Sequence, residues 1–210
     1  ETFRVPDLTT LGWDDALAEQ FAPYAADGLI AGRVTVQHRG AYDVLTEPGE
    51  LRCDVAGRLY EESRSPADLP AVGDWVAVAP RAEEDAGTIQ AVLPRRTKFS
   101  RKTAWQAAEE QVLAANVDVV FIVSSLNEDL NLRRLERYLI LGRESGAQPV
   151  VLLTKSDLAH DPEGAVAASV FAERTKLPVI VLGRPAGLAP DAAFTFLLGA
   201  GAAVQLPAWQ

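Results

Sequence analysis

The sequence predicts an α/β plus β fold, in which a small antiparallel β-barrel is followed by a parallel α/β sheet. Three observations carry this. Residues 29–93 consist of short alternating segments separated by turn residues, the texture of a small barrel or sandwich. Two apolar, β-branched runs that do not alternate, Val117–Val123 and Pro149–Leu153, enclose a helical pattern. A dense cationic stretch, Pro94–Lys102 (PRRTKFSRK), separates the two textures.

Residues 1–28 read as a polar tail and a short acidic helix over Asp14–Ala26, where Trp13, Leu17 and Phe21 are spaced four apart. That stripe docks on a core or, alternatively, on a partner. Residues 29–94 contain five expected strands: Leu29–Val36, Tyr42–Leu45, Leu51–Ala56, Trp75–Ala79 and Thr88–Val92. Gly40, Pro48-Gly49, Gly57 and Gly73-Asp74 punctuate them. Five strands in so short a segment fit the OB-fold, a barrel that binds oligonucleotides on one face and with its loops. Arg33, Arg39, Tyr42, Arg52, Arg58 and Tyr60 are its candidate RNA contacts, against the alternative of a solvated surface.

Residues 95–110 are expected to form a basic linker running into a helix over Thr103–Ala115. Arg95, Arg96, Lys98, Arg101 and Lys102 surround Phe99 there. Cations beside an aromatic suit a phosphate backbone with one stacked base; the alternative is a solvated linker whose cations pair with nearby acids. Residues 111–210 are expected to hold the parallel sheet, with both apolar runs buried on both faces. Between those runs Leu132, Leu135, Leu139 and Ile140 recur at helical spacing, with Asn131 as N-cap and Gly146 as the stop. A strand, a helix and a second strand make a right-handed parallel crossover. A further helix over Pro162–Lys176 and a third buried strand over Leu177–Leu182 follow. Residues 184–210 are atypical, with Arg184 and Asp191 their only charges and no clean period.

Composition narrows the function. A net charge of −9 argues against uniform coating of nucleic acid but leaves room for a local basic patch. The single cysteine, Cys53, excludes a disulfide framework, and His38 and His160 are too few for a histidine metal cluster, so no metal ligands are expected. No apolar run has the length of a membrane span, so no membrane partner is expected and a cytoplasmic setting is the default. A monomer is expected. With no methionine in the sequence, Glu1 is not expected to be the genetic start.

The second apolar run opens into Thr154-Lys155-Ser156-Asp157, at the carboxyl end of a strand where open α/β sheets bind ligands. Guanine presents N1–H and N2–H side by side, and a carboxylate at Asp157 accepts from both, each charge-assisted bond worth about 1.5–3 kcal/mol. Adenine lacks that donor pair. Lys155 lays its methylene stem over the purine while its ammonium stays wet, and the Thr154 hydroxyl orients the loop. A surface turn capping the next helix is the alternative. Nucleotide hydrolysis also needs a glycine-rich phosphate loop of the form G-x-x-x-x-G-K-[ST]. The sequence has no Gly-Lys pair, so no catalytic residue is assigned.

The run from Gly73-Asp74-Trp75 through PRRTKFSRK, EQVLAANVDVVFIVSSLNEDLNLRRLERYL and VVLLTKSDL resembles the ribosome small-subunit-dependent GTPase A family (RsgA/YjeQ), whose G domain is circularly permuted. The resemblance covers roughly Ile30–Leu182. It implies an N-terminal OB-fold contacting ribosomal RNA, then a permuted P-loop-type G domain, partial in this chain. It further implies GTP/GDP as ligand, the small ribosomal subunit and its rRNA as partners, and GTP hydrolysis in late maturation of that subunit. Thr154, Lys155 and Asp157 match the guanine-recognition motif, with Thr where many members have Asn. Mg²⁺ and Zn²⁺ are expected only in full-length members. After Leu182 this sequence has Gly183-Arg184-Pro185 in place of a Ser-Ala type loop, and it ends about where the phosphate loop is expected. A truncated product, or a frame-shifted tail after about Gly183, is the expectation, and with it little or no hydrolysis by these residues alone. The alternative function is a non-enzymatic RNA- or ribosome-binding module that has lost the nucleotide site.

Overall fold

A computed structural model describes residues 7–81, 84–101, 110–126, 130–155, 173, 175–176 and 178–181, and the backbone of 102, 195–198 and 202–205. It divides into two compact units, Glu1–Val117 and Asp118–Gln210.

The first unit is built on a closed barrel of β1 (Ile30–Gln37), β2 (Tyr42–Thr46), β3 (Glu50–Val55), β4 (Trp75–Pro80) and β5 (Ala86–Val92), in the order β1-β2-β3-β5-β4. β3 and β5 run parallel, and β1 closes on β4 antiparallel. This is the OB-type barrel that the strand spacing predicts, and each strand matches its expected span to within two residues. Val34, Tyr42, Val44, Cys53, Val76, Val78 and Ile89 fill the interior. Burial raises the Cys53 thiol to about 11, which leaves it a protonated, inert core group.

β4 is buried on both sides because a second cluster covers its other face. Helix α1 (Asp15–Ala26) brings Leu17 and Phe21 against Trp75, Ala77 and Leu93. Trp13 stacks edge-on to both Phe21 and Trp75, at centroid distances of 5.8 and 4.9 Å. The apolar stripe of α1 is therefore a core element. Asp14 caps the helix by accepting from the Leu17 N–H at 3.0 Å. A short helix α2 (Gly57–Glu62) and a single 3-10 turn (Pro66–Asp68) bridge β3 to β4.

The expected linker and helix after the barrel take a different form. Lys98–Lys102 is strand β6, paired antiparallel with β7 (Glu110–Ala115); residues 103–109 lie outside the described set. The helix-favouring Gln111, Leu113, Ala114 and Ala115 are overridden by pairing and packing. Val112 is buried against Ala67 and Ala71, and the Ala115 N–H donates to the Val72 carbonyl at 2.8 Å. Backbone meets backbone closely at this point. A Cβ on Gly73, whose φ is +90°, would collide with the Ala115 carbonyl oxygen.

In the second unit β8 (Val119–Ser125), β9 (Gln148–Thr154) and β10 (Val179–Val181) run parallel, and α3 (Leu132–Glu144) joins β8 to β9. Asn131 caps α3 through its side chain, accepting from the Arg134 N–H at 3.0 Å, and Gly146 follows the helix at φ +83°. Leu135 and Leu139 pack on Ile122, Val151, Leu153 and Val179. Antiparallel β11 (Thr195–Leu198) and β12 (Ala202–Gln205) extend the sheet beyond β10. The helix expected over 162–176 lies almost wholly outside the described residues. One expectation is corrected: β8 buries a single face. Ile122 and Ser124 turn to the α3 side, while Val119, Phe121 and Val123 are 40–60% exposed on the other, because α3 is the one described element packed on this end of the sheet.

Gly73→Ala is expected to lower the unfolding free energy by at least about 2 kcal/mol, from left-handed strain plus the clash with Ala115. Urea denaturation checks this, and a midpoint equal to that of the unsubstituted chain counts against the close approach.

Candidate functional site

The parallel register of β8 and β9 brings their carboxyl ends level, with Ser124 beside Leu153 and Ser125 beside Thr154. The Leu126 N–H donates to the Thr154 carbonyl at 2.8 Å and extends the pairing past the strand ends. The Thr154 hydroxyl donates to the Ser124 carbonyl at 3.4 Å. Thr154 thus ties the exit of β9 to β8. Lys155 then adopts φ +59°, a left-handed turn uncommon for a non-glycine residue, and stands exposed. Asp157 lies outside the described residues. The structure therefore places Thr154 and Lys155 together at the carboxyl edge of a central parallel strand, where α/β sheets bind ligands.

Ser124 is a group that motif reading missed. It is 7% exposed, and its Oγ has no hydrogen-bond partner among the described residues. An orphaned buried hydroxyl costs about 1–3 kcal/mol, so a polar group at this edge finds a waiting partner. The one signal in the sequence is the change from apolar to polar at Ser124-Ser125.

The cationic stretch is drawn largely into the first unit's own architecture. The Arg95 guanidinium closes on buried Asp74, Nε to Oδ1 at 2.8 Å and Nη2 to Oδ2 at 2.6 Å. It also donates to the carbonyls of Ala67 (2.5 Å) and Leu69 (2.8 Å). Arg96 forms a two-point pair with Asp14 at 2.6 and 2.5 Å. Lys98 Nζ donates to Glu110 at 2.8 Å, and Arg101 donates to the Gln111 side chain at 3.0 and 3.1 Å. Phe99 is half-buried, and Lys102 ends β6.

Asn116, at φ +53°, fastens the end of this hairpin. Its side chain accepts from the Arg96 N–H at 2.9 Å and donates to the Gly73 carbonyl at 3.1 Å. Of the barrel candidates, Arg33 donates to the Leu11 and Asn116 carbonyls and lies over the Trp75 ring. Tyr42 is in the core, Arg52 pairs with Asp43 and Arg58 with Glu62. Arg39 and Tyr60 are exposed. Among the described residues no group of three or more His, Cys, Asp or Glu side chains is placed to hold a metal ion.

Comparison with known proteins gives a consistent set of relatives. Residues 92–190 match the family model described as RsgA GTPase. The chain is 48% identical over 188 residues to the small ribosomal subunit biogenesis GTPase RsgA of Opitutus terrae, covering 86% of this chain and 51% of that protein. It is 48% identical over 155 residues to the protein of the same name from Streptomyces coelicolor, covering 74% and 41%. Two solved structures share the fold. The circularly permuted GTPase YloQ matches with TM-score 0.56 at 22% identity, and YjeQ from Thermotoga maritima with 0.58 at 21%; each match covers 73% of this chain and 51% of the other. The chain thus spans about half the length of the relatives it matches.

Two outcomes test the reading of the cationic stretch. Arg95→Met strands the Asp74 carboxylate in the interior and is expected to cost about 3–5 kcal/mol of stability with no RNA present, measured by urea denaturation. The hydrogen bonds from Arg96 and from the Leu17 N–H lower the Asp14 carboxyl from 3.8 to about 2. A depressed folded-state value contributes stability that is complete above 3.8 and is lost as pH falls toward about 2. Asp14→Asn is therefore expected to flatten the loss of thermal stability across that window while leaving the near-neutral dependence unchanged. An identical acid limb contradicts the pair.

Proposed function

The chain belongs to the RsgA GTPase family, and from that premise we propose that it carries the guanine-recognition edge and the RNA-contacting barrel of a GTP-binding factor for small-ribosomal-subunit assembly. The relatives' name, small ribosomal subunit biogenesis GTPase, supplies the class of partner and ligand. The observation that carries the reading within this chain is the pairing of Thr154 with the β8 exit, followed by the left-handed, exposed Lys155. A purine stacked on the Lys155 stem would bring its N1–H and N2–H edge to the carboxylate of Asp157, two residues on. The rejection of adenine follows from chemistry, since a carboxylate facing a lone acceptor loses both bonds.

The donor set fits the base of the nucleotide better than its phosphates. No Gly-Lys pair occurs in the 210 residues, so the loop that would cradle the β- and γ-phosphates is not supplied by them. Mg²⁺, which supplies charge neutralisation at those phosphates when bound, has no described carboxylate cluster to hold it, and Zn²⁺ has no described ligand set. These residues alone are accordingly proposed to recognise guanine nucleotide and ribosomal RNA without turning GTP over. In this proposal Arg101, Lys102 and Phe99 of β6, together with Arg39 and Tyr60 of the barrel, contact the RNA, while Arg95 acts through the fold. The same lack of a Gly-Lys pair favours a second reading, a ribosome-binding module without hydrolysis. No described helix is long and apolar enough to cross a membrane, and the proposed setting is the cytoplasm, where ribosomal subunits are assembled.

Equilibrium competition with a fluorescent guanine nucleotide tests the first reading in a version of the protein long enough to bind it. GDP is expected to displace the probe at least about a hundredfold more effectively than ADP, two charge-assisted bonds being worth about 3 kcal/mol or more. Asp157→Asn is expected to erase that preference. Full discrimination retained in the variant removes Asp157 from the site, whereas failure of the unsubstituted protein to bind the probe favours the module without a nucleotide.

A further inference from the structure

Two arginines of α3, like exposed Arg39 of the barrel, make no ion pair among the described residues. In the first unit Arg52, Arg58, Arg81, Arg95 and Arg96 each meet a carboxylate. On α3, Arg133 and Arg137 are exposed and have neither an ion pair nor a hydrogen bond among the described residues. They stand four residues apart, so the helix presents them on one outward line about 6 Å apart along its axis. The helix buries Leu135, Leu139 and Gly142, which fixes that line away from the sheet. Tyr138, 48% exposed, stands on the adjoining flank and offers an aromatic face. Exposed Glu136 and Glu144 share this side of the helix, but no carboxylate closes on either guanidinium, so both forks remain open beside an exposed aromatic.

We propose that the outward face of α3, formed by Arg133, Arg137 and Tyr138, is a second RNA-docking surface that takes the phosphate backbone, with Tyr138 stacking on a base or ribose. This rests on the reading of the chain as a ribosome-assembly factor and assigns it a surface separate from the barrel and from β6. Two arginines at one-turn spacing match successive charges on a polyanionic strand, and guanidinium forks suit phosphate oxygens. Ile140, 57% exposed on the same line, and Leu141 give the face an apolar end that a protein partner would use instead. The unpaired cations favour the RNA.

Co-sedimentation of the whole chain with purified small ribosomal subunits, titrated with salt from about 50 to about 200 mM, separates the cases. The double variant R133Q/R137Q is expected to bind about tenfold more weakly at low salt and to lower the salt slope by about two, one for each phosphate left without its guanidinium. R133K/R137K should restore the slope. Because both residues are exposed, the thermal midpoint should stay where it is. Binding by the unsubstituted chain together with an unchanged slope in R133Q/R137Q overturns this surface and leaves the ribosome reading standing. Loss of binding in I140S/L141S, with an unchanged slope in R133Q/R137Q, overturns it in favour of a protein partner. Absence of binding by the unsubstituted chain at every salt concentration removes the ribosome reading and this surface with it.

Discussion

The buried contact between Asp74 and Arg95 is the constraint on which the first unit depends. Asp74 has no exposed side-chain surface, and three donors saturate it: two from the Arg95 guanidinium and the Ala71 N–H at 2.8 Å. The same guanidinium also satisfies the carbonyls of Ala67 and Leu69. One side chain therefore holds the loop before β4 and the chain after β5 in one arrangement. A buried ion pair tolerates little rearrangement, since a group moved out of place leaves a charge unsolvated in the interior. The neighbouring contacts share that geometry. Gly73 lets the Ala115 carbonyl approach, Asn116 bonds both Gly73 and Arg96, and Thr97 and Val117 exchange hydrogen bonds.

Much of the cationic stretch is therefore structural chemistry with a basic composition. Arg95 is inside, Arg96 neutralises the helix-capping Asp14, and Lys98 pairs with Glu110, whose carboxyl its hydrogen bond holds below the usual range. Charge counted along a sequence is a poor guide to charge offered to a ligand, because opposite charges distant in sequence meet across the fold. Within that run Arg95, Arg96 and Lys98 are already paired with carboxylates, and Arg101 is held by a neutral amide.

The second unit obeys a different constraint. Parallel strands end together, so whatever follows β8 and β9 gathers at one edge. Ser124, Ser125 and Thr154 are level there, and Lys155 leaves the strand through a left-handed turn. The single-sided burial of β8 belongs to the same geometry, since α3 covers one face of the sheet and leaves Val119, Phe121 and Val123 exposed on the other.

The sequence by itself determined the two fold classes and most element positions. Alternation with turn glycines placed all five barrel strands, and Asn131 with Gly146 bounded α3. These signals are local, each set by the propensity and periodicity of neighbouring residues. The TKSD motif was legible for the same reason, as a short polar run ending an apolar strand, although Asp157 lies outside the described residues. What only the tertiary structure decided were the partnerships. Gln111–Ala115 has the composition of a helix and forms a strand, because pairing with β6 and packing on Ala67 and Ala71 outweigh a propensity worth tenths of a kcal/mol per residue. Arg95 and Asp74 are 21 residues apart, Arg96 and Asp14 82, and no periodic pattern encodes such a contact. Which arginines are left to meet a phosphate is therefore decided by the fold, since a charge is neutralised by whatever the folded chain brings within a few ångströms of it.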